Sequence, residues 1–170
     1  ATVARMKDFY QQRSPQLTLA PVQLNDLVRQ VITLTQPRWS DMPQRSGAVI
    51  TLQTMLMDDL PEIMGVESEL REALTNLIFN AVDALPHGGQ IVIRSATEGD
   101  TAVIRLSDDG LGMDAETVRR CLEPFFTTKG EQGTGLGLSV AHGIAQRHKG
   151  TIHIESEPHV GTTVTLRFPS

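Results

Sequence analysis

Asn76 and Asn80 stand four residues apart inside 66–85, a stretch that otherwise reads as an amphipathic helix. At about 100° per residue, Val66, Leu70, Leu74, Leu77, Ile78, Ala81 and Leu85 share one side. Glu69, Glu72, Asn76, Asn80 and Asp83 line up on the other. A polar stripe of this kind is ordinarily a solvated face. Asparagine is a poor residue for one, because in mid-helix its side chain competes for backbone hydrogen bonds. A carboxamide oxygen is a neutral, hard ligand, suited to a Mg²⁺ ion that already carries charge from phosphates and keeps most of its waters. Phe79 lies near the stripe with no role that the sequence explains.

Two glycine-rich segments add complementary chemistry. In SDDGLGMD (107–114), Asp108 ends a strand pattern, and Gly110 and Gly112 permit a sharp turn. The segment reads either as a plain strand-to-helix turn or as a carboxylate at the mouth of a glycine-rimmed pocket. An ionised carboxylate only accepts hydrogen bonds, so it would select adenine, whose exocyclic amine donates, over guanine, which offers an acceptor there. The wrong base would leave it unpaired. In GTGLGLS (133–139), Gly133, Gly135 and Gly137 bare backbone N–H groups at the start of a helix, which makes an anion site for phosphates. It is not the dinucleotide fingerprint, since no strand leads into it and its third glycine comes one residue early; nor is there a Walker A sequence. Lys129, one of three lysines with Lys7 and Lys149, lies in an irregular segment, 122–134. It is either a surface cation or one that swings onto a phosphate.

The elements that must position these residues follow from pattern. Val3, Met6 and Tyr10 make a seam for a helix end over 1–14, stopped by Pro15. A short strand is expected at 17–20, a helix opened by Pro21 over 22–36, and a loop over 37–47. Strands are expected at 48–56 and, as a small edge strand, at 62–65. The confident helix is 66–85. A hairpin follows over 90–97 and 101–108, then a short helix over 114–121 capped by Asp114. A helix over 135–148 precedes a closing hairpin over 151–157 and 161–169. Strands that come in hairpin pairs give a mixed, mostly antiparallel sheet with helices on one face, a two-layer α/β sandwich of the α+β class.

Composition narrows the function. The chain has 170 residues and a formal charge of −5, which argues against a nucleic-acid groove. No stretch reaches the ~18 apolar residues of a membrane span. One cysteine, Cys121, excludes an intrachain disulfide framework, and a reducing compartment is the simpler reading. The spacing of His87, His142, His148, His153 and His159 supports no metal cluster, and they are assigned to structure or solvent. Trp39 is read as a packing anchor. The chain starts at Ala1 rather than Met and carries no signal peptide, so a piece of a longer protein is expected.

Taken in order, ELREALTNLIFNAVDAL (69–85), DDGLGMD (108–114), EPFFTTK (123–129) and GTGLGLS (133–139) resemble the N, G1, F and G2 boxes of the ATP-binding catalytic domain of sensor histidine kinases. That domain lies within the superfamily that includes DNA gyrase, the heat-shock chaperone ATPases and the mismatch-repair ATPases. HKGTIHIESEPHVGTTVTLRFP (148–169) is similar to the closing hairpin of that family. The resemblance covers 17–170 and implies the Bergerat-type ATP-binding fold, with 122–134 as a lid that is mobile without nucleotide. Residues 1–14 resemble the last turns of a dimerisation helix.

The resemblance also implies roles. Asn80 would coordinate Mg²⁺, and Asn76 would contact phosphate or metal-bound water. Asp108 would take the adenine amine above a floor shaped by Gly110 and Gly112. Phe125 and Phe126 would anchor the lid, and Lys129 would touch the terminal phosphates, which Gly133, Gly135 and Gly137 would cradle. Asp83, Thr128, Thr134 and Leu136 would complete the nucleotide site. Asn76, Asn80 and Lys129 would stand closest to the transferred group.

Two departures matter. The superfamily's hydrolases carry a Glu where this chain has Asn76, and a carboxamide cannot take a proton from water. Kinase chemistry is therefore favoured, and an ATP-hydrolysing conformational switch is the alternative. The G1 box usually reads Asp-Asn-Gly; here Asp109 adds a carboxylate at the pocket edge. No histidine here has the context of the family's phosphoacceptor, so the chain is expected to donate the γ-phosphate to a histidine on a separate dimerisation domain. Through that domain it would serve a response regulator in two-component signalling. The implied parent is a homodimer, and this part of it is cytoplasmic, with no nucleic-acid or direct membrane contact; membrane attachment of the parent stays open.

Overall fold

Alternation of apolar and polar residues at period two, as in QIVIRSAT and TAVIRLSD, places one face of each strand in a core and leaves the other to carry charge. The computed structural model describes residues 18–41, 47–123 and 137–170. The elements are β1 (Ala20–Val22), α1 (Leu24–Gln36), a π-helical turn (Pro37–Asp41), β2 (Ile50–Met55), β3 (Ile63–Gly65), α2 (Glu67–Asp83), β4 (Gly89–Glu98), β5 (Thr101–Asp108), α3 (Ala115–Arg120), α4 (Gly137–Arg147), β6 (Thr151–Glu157) and β7 (Gly161–Pro169).

Five strands form one mixed sheet in the order β2-β4-β5-β7-β6. The β4–β5, β5–β7 and β6–β7 pairs are antiparallel, and β2 joins β4 in parallel. Ile91, Ile93, Ile104, Leu106, Val164, Leu166 and Phe168 point from the sheet into a core closed by Leu27, Val28 and Val31 of α1, Leu70, Leu74, Leu77 and Ile78 of α2, and Leu138, Ala141 and Ile144 of α4. The opposite face carries Arg105 and Arg167, both bonded to Glu98 at 2.7 and 3.2 Å. The architecture is the two-layer sandwich that hairpin pairing implies.

The beginning of the chain departs from the sequence expectation. Pro21 does not open a helix. It lies in β1, which spans Ala20–Val22 and pairs with β3 in a separate two-stranded ribbon. A proline fits such an edge because it has no N–H to give to a ladder. The helix starts at Leu24, where the Gln23 side chain accepts the Asn25 N–H at 3.2 Å. The expected loop at 37–47 begins instead with the π-helical turn, held by Trp39 packing against the core. Residues 1–14 lie outside the described residues.

Candidate functional site

Asp108 closes β5 with its side chain on the core face, opposite Ile91 of β4 and Thr162 of β7. It is only 9% exposed. Burial pushes its carboxyl up from 3.8 to about 6, against the hydrogen bond it accepts from Gly110 N–H at 2.9 Å and with the help of the neighbouring Asp109 charge. Asp109 itself turns away. Its Oδ1 accepts the Gln90 N–H at 2.8 Å, while its own N–H bonds the Gln90 carbonyl at 3.3 Å. The second carboxylate thus extends the β4–β5 ladder, and it acts on Asp108 through its charge.

The two G1-type glycines are there for space. A Cβ on Gly110 would overlap the Ala84 carbonyl oxygen just beyond α2; at Gly112, whose φ is +68°, it would overlap the Glu157 carbonyl. This close approach lets Leu111 N–H bond the Ala84 carbonyl at 2.9 Å. On the far side, His159 N–H bonds the Leu111 carbonyl at 2.7 Å and Met113 N–H bonds Ser156 Oγ at 2.8 Å. The loop after Asp108 is therefore tied to α2 and to the β6–β7 hairpin. Asp114 then caps α3 by accepting Thr117 N–H at 2.8 Å, as its position predicts.

The stripe on α2 divides. Asn76 and Asn80 are half-buried, and Glu72 and Asp83 are exposed. Glu69 leaves the stripe's chemistry, because it accepts Arg147 Nε of α4 at 3.0 Å and fastens two helices. Asn80 lies four residues, about 6 Å of helix rise, before the Ala84 carbonyl that meets the glycine loop. The amide and the buried carboxylate thus belong to one region of the molecule.

Helix α4 packs against α2. At its C-terminal end Arg147 pairs with Glu69, and the buried His148 bridges to the start of α2: Val66 N–H donates to Nε2 at 3.0 Å, while Nδ1 bonds the Ile144 carbonyl at 2.8 Å. Helix α4 begins at Gly137, ten residues or about 15 Å of helix rise before Arg147. The buried acceptor Asp108 is joined, through the glycine loop, to the C-terminal end of the helix that carries Asn76 and Asn80. Among the described residues no cluster of three or more His, Cys, Asp or Glu could hold a metal ion.

Phe125, Phe126, Thr128, Lys129, Gly133, Thr134, Gly135 and Leu136 lie outside the described residues. Of the expected lid, Leu122 packs against the core and Glu123 pairs with Arg120 at 3.3 Å. Sequence reasoning missed Thr162, whose Oγ1 lies 2.7 Å from Ser156 Oγ and whose backbone helps stabilise the Asp108 charge. The Gly161-Thr162 step ahead of an alternating strand was the available signal. It also left Phe79 unexplained; the ring carries the Arg38 guanidinium 4.4 Å above its centroid.

The model of a family described as histidine kinase-, DNA gyrase B- and HSP90-like ATPase matches residues 65–170. The chain is similar to Sporulation kinase E of Bacillus subtilis (strain 168), with 39% identity over 121 residues covering 71% of this chain and 16% of that protein. Sensor histidine kinase ZraS of Escherichia coli (strain K12) is 37% identical over 153 residues, covering 90% of this chain and 31% of that one. The chain thus spans less than a third of either curated relative. Among solved structures, full-length ShkA in complex with AMPPNP superposes with a TM-score of 0.76 at 28% identity, over 90% of this chain and 31% of that chain.

Proposed function

The chain belongs to the family of histidine kinase-, DNA gyrase B- and HSP90-like ATPases, and from that membership we propose that it binds Mg-ATP and donates the γ-phosphate to a histidine on a separate dimerisation domain. What supports the reading is that the loop after the buried Asp108 bonds the Ala84 carbonyl, four residues after Asn80. Asp108 accepts the adenine amine from a site that desolvates it, so a base without that donor is rejected. Asn80 and Asn76 face the phosphates, with the α4 N-terminus and Gly137 behind them. Phe125, Thr128, Lys129, Gly133, Thr134, Gly135 and Leu136 complete the phosphate side in this reading.

The donor set fits Mg²⁺: Asn80 offers one neutral hard oxygen, and the remaining positions fall to phosphate oxygens and water. When bound, the ion would screen the charge of the phosphates. Asn76 supports transfer over hydrolysis, because a carboxamide cannot serve as a base for water. The name of one relative, Sensor histidine kinase ZraS, supports the histidine as acceptor, and in this reading a response regulator is the onward partner. Among the described residues no helix is long and apolar enough to cross a membrane.

The test mixes this chain with the dimerisation domain of its own parent and γ-labelled ATP. Label should appear on the domain's histidine and be lost with Asn80→Ala. Steady release of inorganic phosphate well above background, with no labelled histidine, would instead promote the hydrolytic switch.

A further inference from the structure

The turn after α1 places a cation beside the amide stripe that none of the roles above uses. Helix α1 runs on into the π-helical turn Pro37–Asp41, and a wider turn of this kind re-aims the side chains it carries. Trp39 anchors the turn by packing against the core. Arg38 is thereby laid across α2. Its guanidinium carbon stands 4.4 Å over the Phe79 ring centroid, and its Nη2 lies 3.8 Å from the Asp83 carboxylate.

Phe79, Asp83, Asn76 and Asn80 fall within an arc of about 100° on α2. A guanidinium spanning Phe79 and Asp83 therefore borders the amide stripe at the level of Asn80. The ion pair holds it loosely. The Asp83 pair is longer than a hydrogen bond, and the two side chains are 45% and 37% exposed, so solvent competes for each charge. A triphosphate offers more negative charge than one carboxylate, and paired oxygens that a planar guanidinium can take two at a time.

We propose that Arg38 is a polyphosphate-contact residue of the nucleotide site, and that Asp83 is a positioning residue acting through it. The inference rests on the nucleotide-site reading above. It gives Asp83 a task that an acid beside phosphates could not perform directly: it holds the cation on the α2 face while Phe79 sets the plane of the guanidinium.

The experiment titrates the 170-residue chain with Mg-ATP and, separately, with adenosine, which has the base and sugar but no phosphate. Arg38→Gln should weaken Mg-ATP about tenfold, the size of a lost charge-assisted contact, and leave adenosine unchanged. Arg38→Lys, which keeps the charge but not the planar fork, should recover part of the loss. An Mg-ATP to adenosine affinity ratio that is the same in Arg38→Gln as in the parent chain overturns the inference, even if both affinities fall together. If the parent chain binds neither ligand, the nucleotide site falls with it; if the parent binds both and only the ratio fails to move, the Arg38 role alone is refuted.

Discussion

Asp108→Asn should make the fold more stable at neutral pH while damaging the site. Asp108 has its carboxyl raised from 3.8 to about 6 by burial. Between about pH 4 and pH 6 the folded protein therefore holds a proton that the unfolded chain has released, and stability falls as pH rises through that window. A carboxyl raised this far corresponds to about 3 kcal/mol at roughly 1.36 kcal/mol per pKa unit. The asparagine keeps an oxygen for the Gly110 N–H but brings amide hydrogens that need acceptors, so a gain of about 2 kcal/mol is expected. For a domain of this size that is about 4–8 °C in Tm. Urea unfolding at pH 7.5 and pH 4 reads it directly: the variant's midpoint should exceed the parent's at pH 7.5, and the difference should shrink toward zero at pH 4. The parent should prefer ATP to GTP by at least about 1 kcal/mol, and the variant, whose carboxamide can both donate and accept, should lose that preference. An unchanged or lower midpoint at pH 7.5, or an equal gain at both pH values, would refute the buried-charge argument.

Three further outcomes test the packing around the site. Gly110→Ala forces a methyl into the Ala84 carbonyl and should cost about 2–4 kcal/mol in a thermal melt, together with ATP binding; an unaltered Tm would show that the loop yields freely. His148→Ala leaves the Val66 N–H without its acceptor and opens space beside Phe168, whose ring centroid is 6.1 Å away; urea titration should show a loss of about 3 kcal/mol. Cys121 is 7% exposed, its Sγ–H donates to the Val118 carbonyl at 3.0 Å, and burial pushes its thiol pKa up. Its reaction with an aromatic disulfide reagent at pH 8 should run about a hundredfold slower than that of free cysteine until the chain is unfolded.

Where one pattern dominated a segment, the sequence was a good guide to the fold. The period of 3.6 over 66–85 and the two alternating hairpins fixed α2, β4, β5, β6 and β7 within a residue or two, because each buries one continuous face. Pro21 misled because proline suits the first turn of a helix and an edge strand equally, and only the partner strand Ile63–Gly65 decides between them. The parallel pairing of β2 with β4 was not legible, since β2 reaches its neighbour through a long excursion that includes α2. Of the candidate site, Asp108 and the two amides were singled out by type and spacing alone. Glu69 looked equivalent to them, yet it faces Arg147, a partner 78 residues away. Arg38 was invisible for the same reason: its place on Phe79 depends on how two helices lie against each other.

The bond between His148 and Val66 gives helix α4 a fulcrum. The ring is buried, Gly65 beside it has no room for a methyl group, and the Arg147–Glu69 pair braces the same end. The helix therefore cannot slide along its neighbour without breaking that joint. A force applied before Gly137 acts about 15 Å from that joint, and it must unseat Leu138 and Ala141 from the core before it can turn the helix about it.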